Sequence, residues 1–281
     1  MSVVDRSFKL PGNDVGVLFI HGLVGNPIEM RYAAGVVARD GYTVHGCQLA
    51  GHGGSEADLR ATGWKDWLQS TLNALDEMRK VCKTIIVVGN CAGAILAIRT
   101  VLERQPQIAG LVLYSPVLWY DGPSIPRYAH IFLKPLMNTP LRHLYTLPDR
   151  EPFGIKDERI RRMKAEAFAA DNNAEFGGNG TPASALQQMN QLIGFVKPRL
   201  SEVKIRTLII HSREDDAASM RNPAYLQRHL GGIVETVVLD DSYHIISIDK
   251  QRQLVAEKTR QFVAAIADRA RELAPIRIAA E

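Results

Sequence analysis

Short apolar runs alternate with amphipathic stretches along most of this chain. Runs of four to eight residues rich in β-branched side chains predict buried strands, and stretches with a 3.6-residue apolar period predict helices. The predicted strands are Val15 to Ile20, Tyr42 to Gln48, Thr84 to Val88, Ile108 to Tyr114, Arg206 to His211 and Val234 to Leu239. The predicted helices are Pro27 to Arg39, Trp64 to Arg79, a helix starting at Ala92, Pro223 to Leu230 and Lys250 to Leu273. This alternation predicts an α/β fold with a mostly parallel sheet and helices on both faces.

The alternation breaks down between residues 119 and 200. That stretch contains proline-marked turns, a charged helix near Lys156 to Ala170, a glycine-rich loop at residues 177–180 and a helix from Ala183 to about Phe195. An insertion near the carboxyl ends of parallel strands is typical of a lid over a ligand site. We therefore interpret residues 119–200 as a helical cap and residues 1–118 and 201–281 as the core. Surface decoration remains the alternative for the insertion.

Charge and hydropathy narrow the range of partners. The 281 residues carry a formal net charge of +4, and the Lys and Arg residues are scattered rather than clustered. We therefore expect a small-molecule substrate and no nucleic-acid partner. Residues 1–6 lack the apolar region of a leader, and no apolar run is long enough to span a bilayer, so we expect a cytoplasmic protein without an integral membrane segment. The oligomeric state stays open.

The cysteine pattern indicates a reducing compartment. The three cysteines are Cys47, Cys82 and Cys91, and no two of them form a C-x-x-C pair. This spacing is not that of a disulfide framework or a zinc site. We expect no metal and no organic cofactor.

The turn Gly89-Asn90-Cys91-Ala92-Gly93 is the most informative motif. It joins a predicted strand to a predicted helix, and glycines two positions to either side let the backbones pass closely. The central side chain is thereby raised from the sheet at the positive end of a helix, where a thiolate or an oxyanion is favoured. Serine is the usual residue at this position, but this chain has cysteine. A buried core cysteine is the alternative, although it would not need this turn.

Further motifs follow the other strands. His21-Gly22-Leu23 ends the first predicted strand, and the N–H of Leu23, together with the N–H of Ala92, is suited to form an oxyanion hole. The other motifs are Gly51-His52-Gly53 after the second strand, the acidic run Glu214-Asp215-Asp216 after Arg206 to His211, and His244 after the last strand.

In their order, these motifs resemble those of the α/β-hydrolase superfamily, and within it the small-capped carboxylesterases and the monoacylglycerol-lipase-like enzymes. The resemblance runs from about Val15 to Val263 and weakens in the insertion. It implies a nucleophile, an acid and a histidine in that chain order, with Cys91 as nucleophile and His244 as general base. The small residue-Arg-x-Asp pattern of the family falls on Asp215, which would orient His244. Asp216 is the alternative acid.

The remaining histidines fit a catalytic role less well. His21 and His52 belong to backbone motifs of the family, His211 lies at a strand end and His229 on a predicted helix. Only His244 follows the last strand.

Four further residues are candidates for substrate contact. Asn90 and Tyr243 flank the nucleophile and the histidine, and Phe132 and Met137 are apolar residues of the insertion. Helix packing is the alternative for the last two, and loop anchoring is the alternative for Tyr243.

A cysteine nucleophile would form a thioester intermediate, which reacts with amines, alcohols and thiols more readily than an ester does. Superfamily relatives that use cysteine include dienelactone hydrolases and polyhydroxyalkanoate synthases. We expect hydrolysis of a carboxylic ester or thioester, by analogy with the fold. Transfer of the acyl group to a second small molecule and a non-catalytic ligand-binding role remain the alternatives.

Overall fold

One sheet forms the centre of the protein in the computed structural model, which describes residues 3–125, 137–169 and 180–273. The strands are β1 (Phe8–Leu10), β2 (Val15–Ile20), β3 (Thr43–Cys47), β4 (Thr84–Asn90), β5 (Gly110–Tyr114), β6 (Thr146–Pro148), β7 (Gly180–Pro182), β8 (Arg206–Ser212) and β9 (Val234–Leu239). Seven of them pair in the order β1-β3-β2-β4-β5-β8-β9. All neighbours in this sheet are parallel except β1 and β3.

Helices cover both faces of this sheet. They are α1 (Arg31–Arg39), α2 (Glu56–Arg60), α3 (Trp64–Arg79), α4 (Ala92–Arg104), α5 (Glu158–Ala169), α6 (Ala183–Val196), α7 (Arg221–His229) and α8 (Arg252–Glu272). The core has two halves: α3, α4 and α6 pack on one face, and α1 and α8 pack on the other. The sequence-based prediction of a mostly parallel α/β fold with helices on both faces is confirmed.

Strand β4 lies between β2 and β5 and contributes side chains to both halves of the core. Ile85 and Val87 point to the face covered by α3 and α4, whereas Ile86 and Val88 point to the face covered by α1 and α8. A strand buried on both faces needs a continuous apolar run, and this is the pattern of residues 84–88. The central position of β4 sets Cys91, at its carboxyl end, in the middle of the sheet edge.

Three differences from the prediction go beyond small shifts of an element's bounds. Strand β1, which pairs antiparallel with β3, and helix α2, which follows β3 in the chain, were not predicted. Each is too short to give a period in the sequence. The predicted helix Pro27 to Arg39 starts as a 3₁₀ turn, Pro27–Met30, before α1 begins. Asn26 caps this turn by accepting a hydrogen bond from the N–H of Ile28 at 2.9 Å.

The segment between β5 and β8 contains two short strands and two of the helices. β6 and β7 pair antiparallel as a separate sheet. Helix α6 packs against α3 and α4, and its Met189, Leu192 and Val196 are buried in the same core half. The carboxyl-terminal part of the predicted insertion therefore belongs to the core packing. Among the described residues, no helix is both long and apolar enough to cross a membrane.

We predict opposite effects on the free energy of unfolding for alanine at Gly93, beside Cys91, and alanine at Gly35, in α1. A Cβ on Gly93 would lie 2.3 Å from the carbonyl oxygen of His21 and 2.6 Å from that of Ile20, whereas a Cβ on Gly35 in α1 meets nothing within 4 Å. We expect Gly93→Ala to lower the free energy of unfolding by about 3 kcal/mol or more, because backbone atoms must move to relieve the clash. We expect Gly35→Ala to raise it by about 0.5–1 kcal/mol, the usual gain in helix propensity. Urea denaturation followed by circular dichroism measures both, and equal effects of the two changes would contradict the packing described for the turn.

Candidate active site

Cys91 lies in a strained turn between β4 and α4. Its backbone has φ 53° and ψ −114°, a left-handed conformation that is costly for any residue with a Cβ. The N–H of Cys91 donates to the carbonyl of Tyr114 at 2.9 Å, and the carbonyl of Cys91 accepts from the N–H of Ala94 at 3.1 Å. These bonds hold the turn, and the thiol is half-buried rather than packed into the core.

The turn depends on its two glycines. A Cβ on Gly89 would lie 2.2 Å from the carbonyl oxygen of Gly93, and a Cβ on Gly93 would strike the backbone at the end of β2. Helix α4 therefore passes closer to β4 at Gly89, and closer to the end of β2 at Gly93, than any residue with a Cβ allows. Such backbone strain is typical of functional sites.

His244 and Asp215 form a buried pair at the same edge of the sheet. Nδ1 of His244 lies 2.9 Å from Oδ1 and 2.8 Å from Oδ2 of Asp215. Oδ1 also accepts hydrogen bonds from the N–H groups of Ala217 at 2.9 Å and Ala218 at 2.8 Å. The carboxylate is thus fixed by its own loop and fixes the imidazole in turn.

The environment of the pair favours its charged form. Burial alone would raise the pKa of Asp215, but the charge of His244 and the hydrogen bonds that Asp215 accepts hold this pKa below its ordinary value. Burial alone would lower the pKa of His244, but the carboxylate of Asp215 and then the thiol of Cys91 raise it well above its ordinary value. Asp215 and Cys91 therefore both favour the protonated form of His244.

The thiol of Cys91 faces the imidazole. Both its charge and its contact with the ring contribute to the raised pKa of His244. Asp215 occupies Nδ1, which leaves Nε2 available to the thiol, and the buried Nε2 has no hydrogen-bond partner among the described residues. The structure brings together the three residues that the sequence suggested as nucleophile, base and acid.

The alternative acid, Asp216, is bonded elsewhere. Its Oδ2 accepts a hydrogen bond from the hydroxyl of Ser124 at 3.2 Å, and burial raises its pKa. A second histidine, His211, lies behind Asp215 instead: its Nε2 is 2.8 Å from the carbonyl of Ala218 and 3.4 Å from Oδ2 of Asp215. Of the two candidate acids, Asp215 is the one that bonds to His244.

The backbone N–H groups of Leu23 and Ala92 belong to segments that lie beside Cys91. A Cβ built on Gly22 would lie 3.4 Å from the Cβ of Cys91, so the loop after β2 runs beside the nucleophile turn. No described residue accepts a hydrogen bond from the N–H of Leu23 or from that of Ala92, the first residue of α4. Val24 follows with φ 64°, a second strained position in this loop. The assignment of these two N–H groups to an oxyanion hole stays a prediction.

His21 links the loop after β2 to the loop after β3. Its Nδ1 donates to the carbonyl of Gly22 at 2.9 Å, and its Nε2 accepts from the N–H of Leu49 at 3.1 Å. Burial holds the pKa of His21 well below its ordinary value and lowers that of His52 to about 4. Both rings are neutral and support the backbone, in agreement with their place in the motifs.

Glu29 was not identified from the sequence, yet it contacts both loops of the site. Its Oε1 accepts a hydrogen bond from the N–H of Gly22 at 2.6 Å and another from Nδ2 of Asn90 at 2.9 Å. Asn90 is 2% exposed, and its amide is directed to Glu29. The one local feature that could have drawn attention to Glu29 is an acidic side chain among Pro27, Ile28 and Met30. The residues to which Glu29 bonds are distant in the chain and could not be identified from the sequence.

Asp249 and Tyr120 are two further residues that the sequence did not identify. The carboxylate of Asp249 accepts N–H bonds from Tyr243 at 2.6 Å and from Lys156 at 3.0 Å, which ties the loop bearing His244 to the segment preceding α5. The pKa of the Tyr120 phenol is raised well above its ordinary value, first by burial and second by the electrostatic effect of the nearby sulfur of Cys91.

The other candidates for substrate contact lie in different surroundings. The ring of Tyr243 is half-buried, with the ammonium of Lys156 5.7 Å from its centroid. The sulfur of Met137 accepts from the exposed Nδ2 of Asn190 at 3.4 Å. Phe132 lies outside the described residues. The assignments of Tyr243, Met137 and Phe132 as substrate contacts remain predictions.

A largely apolar cavity adjoins the His244 loop. Its volume is about 320 Å³, and it is lined by Ile28, Ile155, Ile160, Ile245 and Ile248, with Glu29 and Lys164 among its polar groups. Ile245 follows His244 directly, and Glu29 contacts the loop of Leu23. The cavity is therefore lined by neighbours of the site residues, while Cys91 and His244 themselves are not part of its lining. Among the described residues, no three His, Cys, Asp or Glu side chains are grouped so as to hold a metal ion.

Comparison with known proteins identifies similar sequences and structures. Residues 13–251 match the family described as serine aminopeptidase, S33. The chain is 25% identical to a thermostable monoacylglycerol lipase of Bacillus sp. (strain H-257) over 92% of its length and 93% of that lipase. It is 22% identical to a carboxylesterase of Bacillus subtilis (strain 168) over 93% of its length and 97% of that enzyme. A solved structure described under LipS and LipT, two metagenome-derived lipolytic enzymes, superposes with a TM-score of 0.79 at 25% identity, covering 93% of this chain and 98% of that one.

The contact of Cys91 with His244 predicts a measurable change in titration. Because the sulfur is one of the groups that raise the pKa of His244, we expect Cys91→Ala to lower this pKa relative to the unchanged protein. At a pH between the two values, His244 would be protonated in the unchanged protein and neutral in the variant. NMR titration of the imidazole Cε1 proton measures the shift. Identical titration curves would show that the sulfur and the ring do not interact.

Proposed function

The chain belongs to the serine aminopeptidase S33 family of α/β hydrolases, and we propose that it hydrolyses a carboxylic ester or thioester through an acyl group carried on Cys91. The observation that carries this proposal is the strained backbone at Cys91, together with the bond between His244 and Asp215. A non-catalytic role is disfavoured, because a ligand-binding protein would gain nothing from a left-handed cysteine beside a buried imidazolium.

In the first half-reaction, the sulfur of Cys91 attacks the substrate carbonyl carbon. A C–S bond forms and the carbonyl π electrons move to oxygen, where the N–H groups of Leu23 and Ala92 donate hydrogen bonds to the negative charge. When the carbonyl re-forms, the bond to the leaving oxygen or sulfur breaks. The leaving group takes the proton from Nε2 of His244 and departs as an alcohol or thiol.

In the second half-reaction, His244 acts as a base. It removes a proton from water as the water oxygen attacks the thioester carbonyl, and the same N–H groups hold the second oxyanion. Collapse breaks the C–S bond, releases the acid and returns Cys91 as a thiolate beside the imidazolium. Asp215 keeps Nδ1 protonated throughout and stabilises the positive ring.

We assign the apolar cavity beside the His244 loop to the hydrocarbon part of the substrate. Its isoleucine lining favours an apolar chain, and the curated relatives are named for esters of this kind, a monoacylglycerol lipase and a carboxylesterase. We propose that the described part of the insertion before α6, residues 119–125 and 137–169, belongs to a cap at the carboxyl edge of the sheet. The three free thiols suit the reducing, cytoplasmic location that the sequence suggests.

Water is the acceptor that we favour, and an amine, alcohol or thiol is the alternative. Product analysis with and without an added alcohol or amine separates the two. Free acid as the sole product at an unchanged rate supports hydrolysis, whereas an ester or amide that forms at the expense of acid supports transfer.

Intact-protein mass spectrometry tests the nucleophile. We expect a transient acyl adduct after mixing with a 4-nitrophenyl ester, and we expect Cys91→Ala to abolish the adduct and to lower turnover about 10³-fold or more. Cys47 and Cys82 serve as internal controls, because burial raises the pKa of Cys47 to about 12 and also raises that of Cys82, which disfavours their thiolates. An adduct that persists in Cys91→Ala would refute the assignment.

A change in the cavity lining tests the substrate assignment. Ile160 lines the cavity from α5, and Ile160→Trp would fill part of its volume. We expect kcat/KM for 4-nitrophenyl octanoate to fall about tenfold or more, which corresponds to a loss of ~1.4 kcal/mol or more of binding, because the octanoyl chain no longer fits the cavity. We expect the acetate ester to be little affected. Equal losses for both esters would place the acyl chain elsewhere.

A further inference from the structure

We propose that Glu29 is a positioning residue that, with Asn90, holds the loop of Leu23 against the nucleophile turn and so fixes the distance between the two oxyanion donors. The proposal rests on the proposed function, because it concerns the same acyl-transfer step. Glu29 does not touch the reacting atoms. It acts through the two backbone segments that carry them.

A single oxygen of Glu29 joins the two halves of the oxyanion hole. Oε1 accepts from the N–H of Gly22 and from Nδ2 of Asn90, at 2.6 and 2.9 Å. Gly22 immediately precedes Leu23, and Asn90 precedes the Cys91-Ala92 pair. Each bond therefore acts one or two residues from a donor N–H, and moving Oε1 would move both segments.

The loop is shaped around this carboxylate. A Cβ on Gly25 would lie 2.4 Å from Oε2 of Glu29, and one on Gly22 would lie 3.5 Å from Oε1. Glu29 itself sits on the 3₁₀ turn capped by Asn26, and its own N–H donates to the Asn26 carbonyl at 3.2 Å. The carboxylate thus has a rigid base below it and a glycine-lined loop around it.

The cost of burying these polar groups argues for a role beyond packing. Burial raises the pKa of Glu29 despite the bonds from Asn90 and Gly22 and the positive charges of Lys164 and His244. Oδ1 of Asn90 is buried without a hydrogen-bond partner among the described residues. A buried carboxylate and a half-satisfied amide destabilise a fold relative to apolar side chains of similar size. Their retention beside the reactive turn is explained if the bridge serves the reaction.

Two chemical reactions of the same sulfur separate positioning from other effects. Acylation of Cys91 by a 4-nitrophenyl ester develops an oxyanion, whereas alkylation of Cys91 by iodoacetamide develops none at a carbonyl. Loss of one oxyanion donor typically costs about 10²–10³-fold, and a misplacement of ~1 Å costs a comparable factor. We therefore expect Glu29→Leu to slow acylation about 30-fold or more, with kcat reduced far more than KM, and to leave the alkylation rate within about twofold.

The conservative variant provides the rescue. Glu29→Gln keeps an amide oxygen that can accept from both Gly22 and Asn90, so we expect it to restore acylation to within about fivefold of the original rate. Glu77→Leu is the matched control for the same side-chain change, because Glu77 is an exposed carboxylate paired with Lys9. Thermal denaturation of each variant reports whether it is folded.

Asn90→Leu removes the second bond without leaving a new orphaned group, since Oδ1 of Asn90 has no partner to lose. We expect it to slow acylation about fivefold or more with alkylation unaffected, and to add little to the effect of Glu29→Leu in the double variant. If Glu29→Leu does not fold, Asn90→Leu tests the positioning role on its own.

The outcomes are distinguishable. Equal acylation of the unchanged protein, Asn90→Leu and folded Glu29→Leu would overturn the positioning role while leaving the proposed function intact. Parallel losses of acylation and alkylation would also overturn it, because they would mean damage to the thiol rather than to the oxyanion hole. No acylation of the unchanged protein would refute the proposed function itself.

Discussion

The close approach of α4 to β4 at Gly89 and to the end of β2 at Gly93 is the constraint on which the rest of the site depends. Carbonyl oxygens of the neighbouring backbone occupy the space that a Cβ would need at either position. Because the chain must reverse within this space, Cys91 takes a left-handed conformation that is normally avoided. Its side chain is thereby raised from the sheet, and the first N–H groups of α4 are left facing the same space.

The other functional groups reach this point because parallel strands end at one edge. β8 and β9 are neighbours, and the loops after them carry Asp215 and His244. β2 lies beside β4 on the other side, and the loop after it carries Leu23. Cys91 thus stands between the His244–Asp215 pair on one side and the Leu23 loop on the other, an arrangement that follows from strand order.

Local patterns predicted the elements that have strong periods and the residues that have strong motifs. Strands β2 and β9 and helix α3 have the predicted bounds, and Cys91 and His244 were identified from short motifs. β4 runs two residues further than predicted, since Gly89 and Asn90 continue the strand although neither favours one. The family pattern in the sequence favoured Asp215 over Asp216, and the structure shows Asp215 to be the residue that bonds to His244.

What the sequence could not provide is the set of long-range polar contacts. Glu29 and Asn90 are 61 positions apart, and Asp249 bonds to Lys156 across 93. Each of these residues is ordinary in its own segment, so no period or motif identifies it. Contacts of this kind become visible only when the folded backbone brings distant segments together.

The two carboxyl groups beside the reactive centre have opposite tendencies, and each suits its position. Asp215 has a lowered pKa and stays ionised against the imidazole of His244. Glu29 lies beside the loop where negative charge develops, and burial raises its pKa. Its Oε1 accepts hydrogen bonds from both Gly22 and Asn90, so its contribution is to hold these two segments together. One acid therefore supplies charge and the other supplies geometry, and the difference comes from the partners that each one meets in the fold.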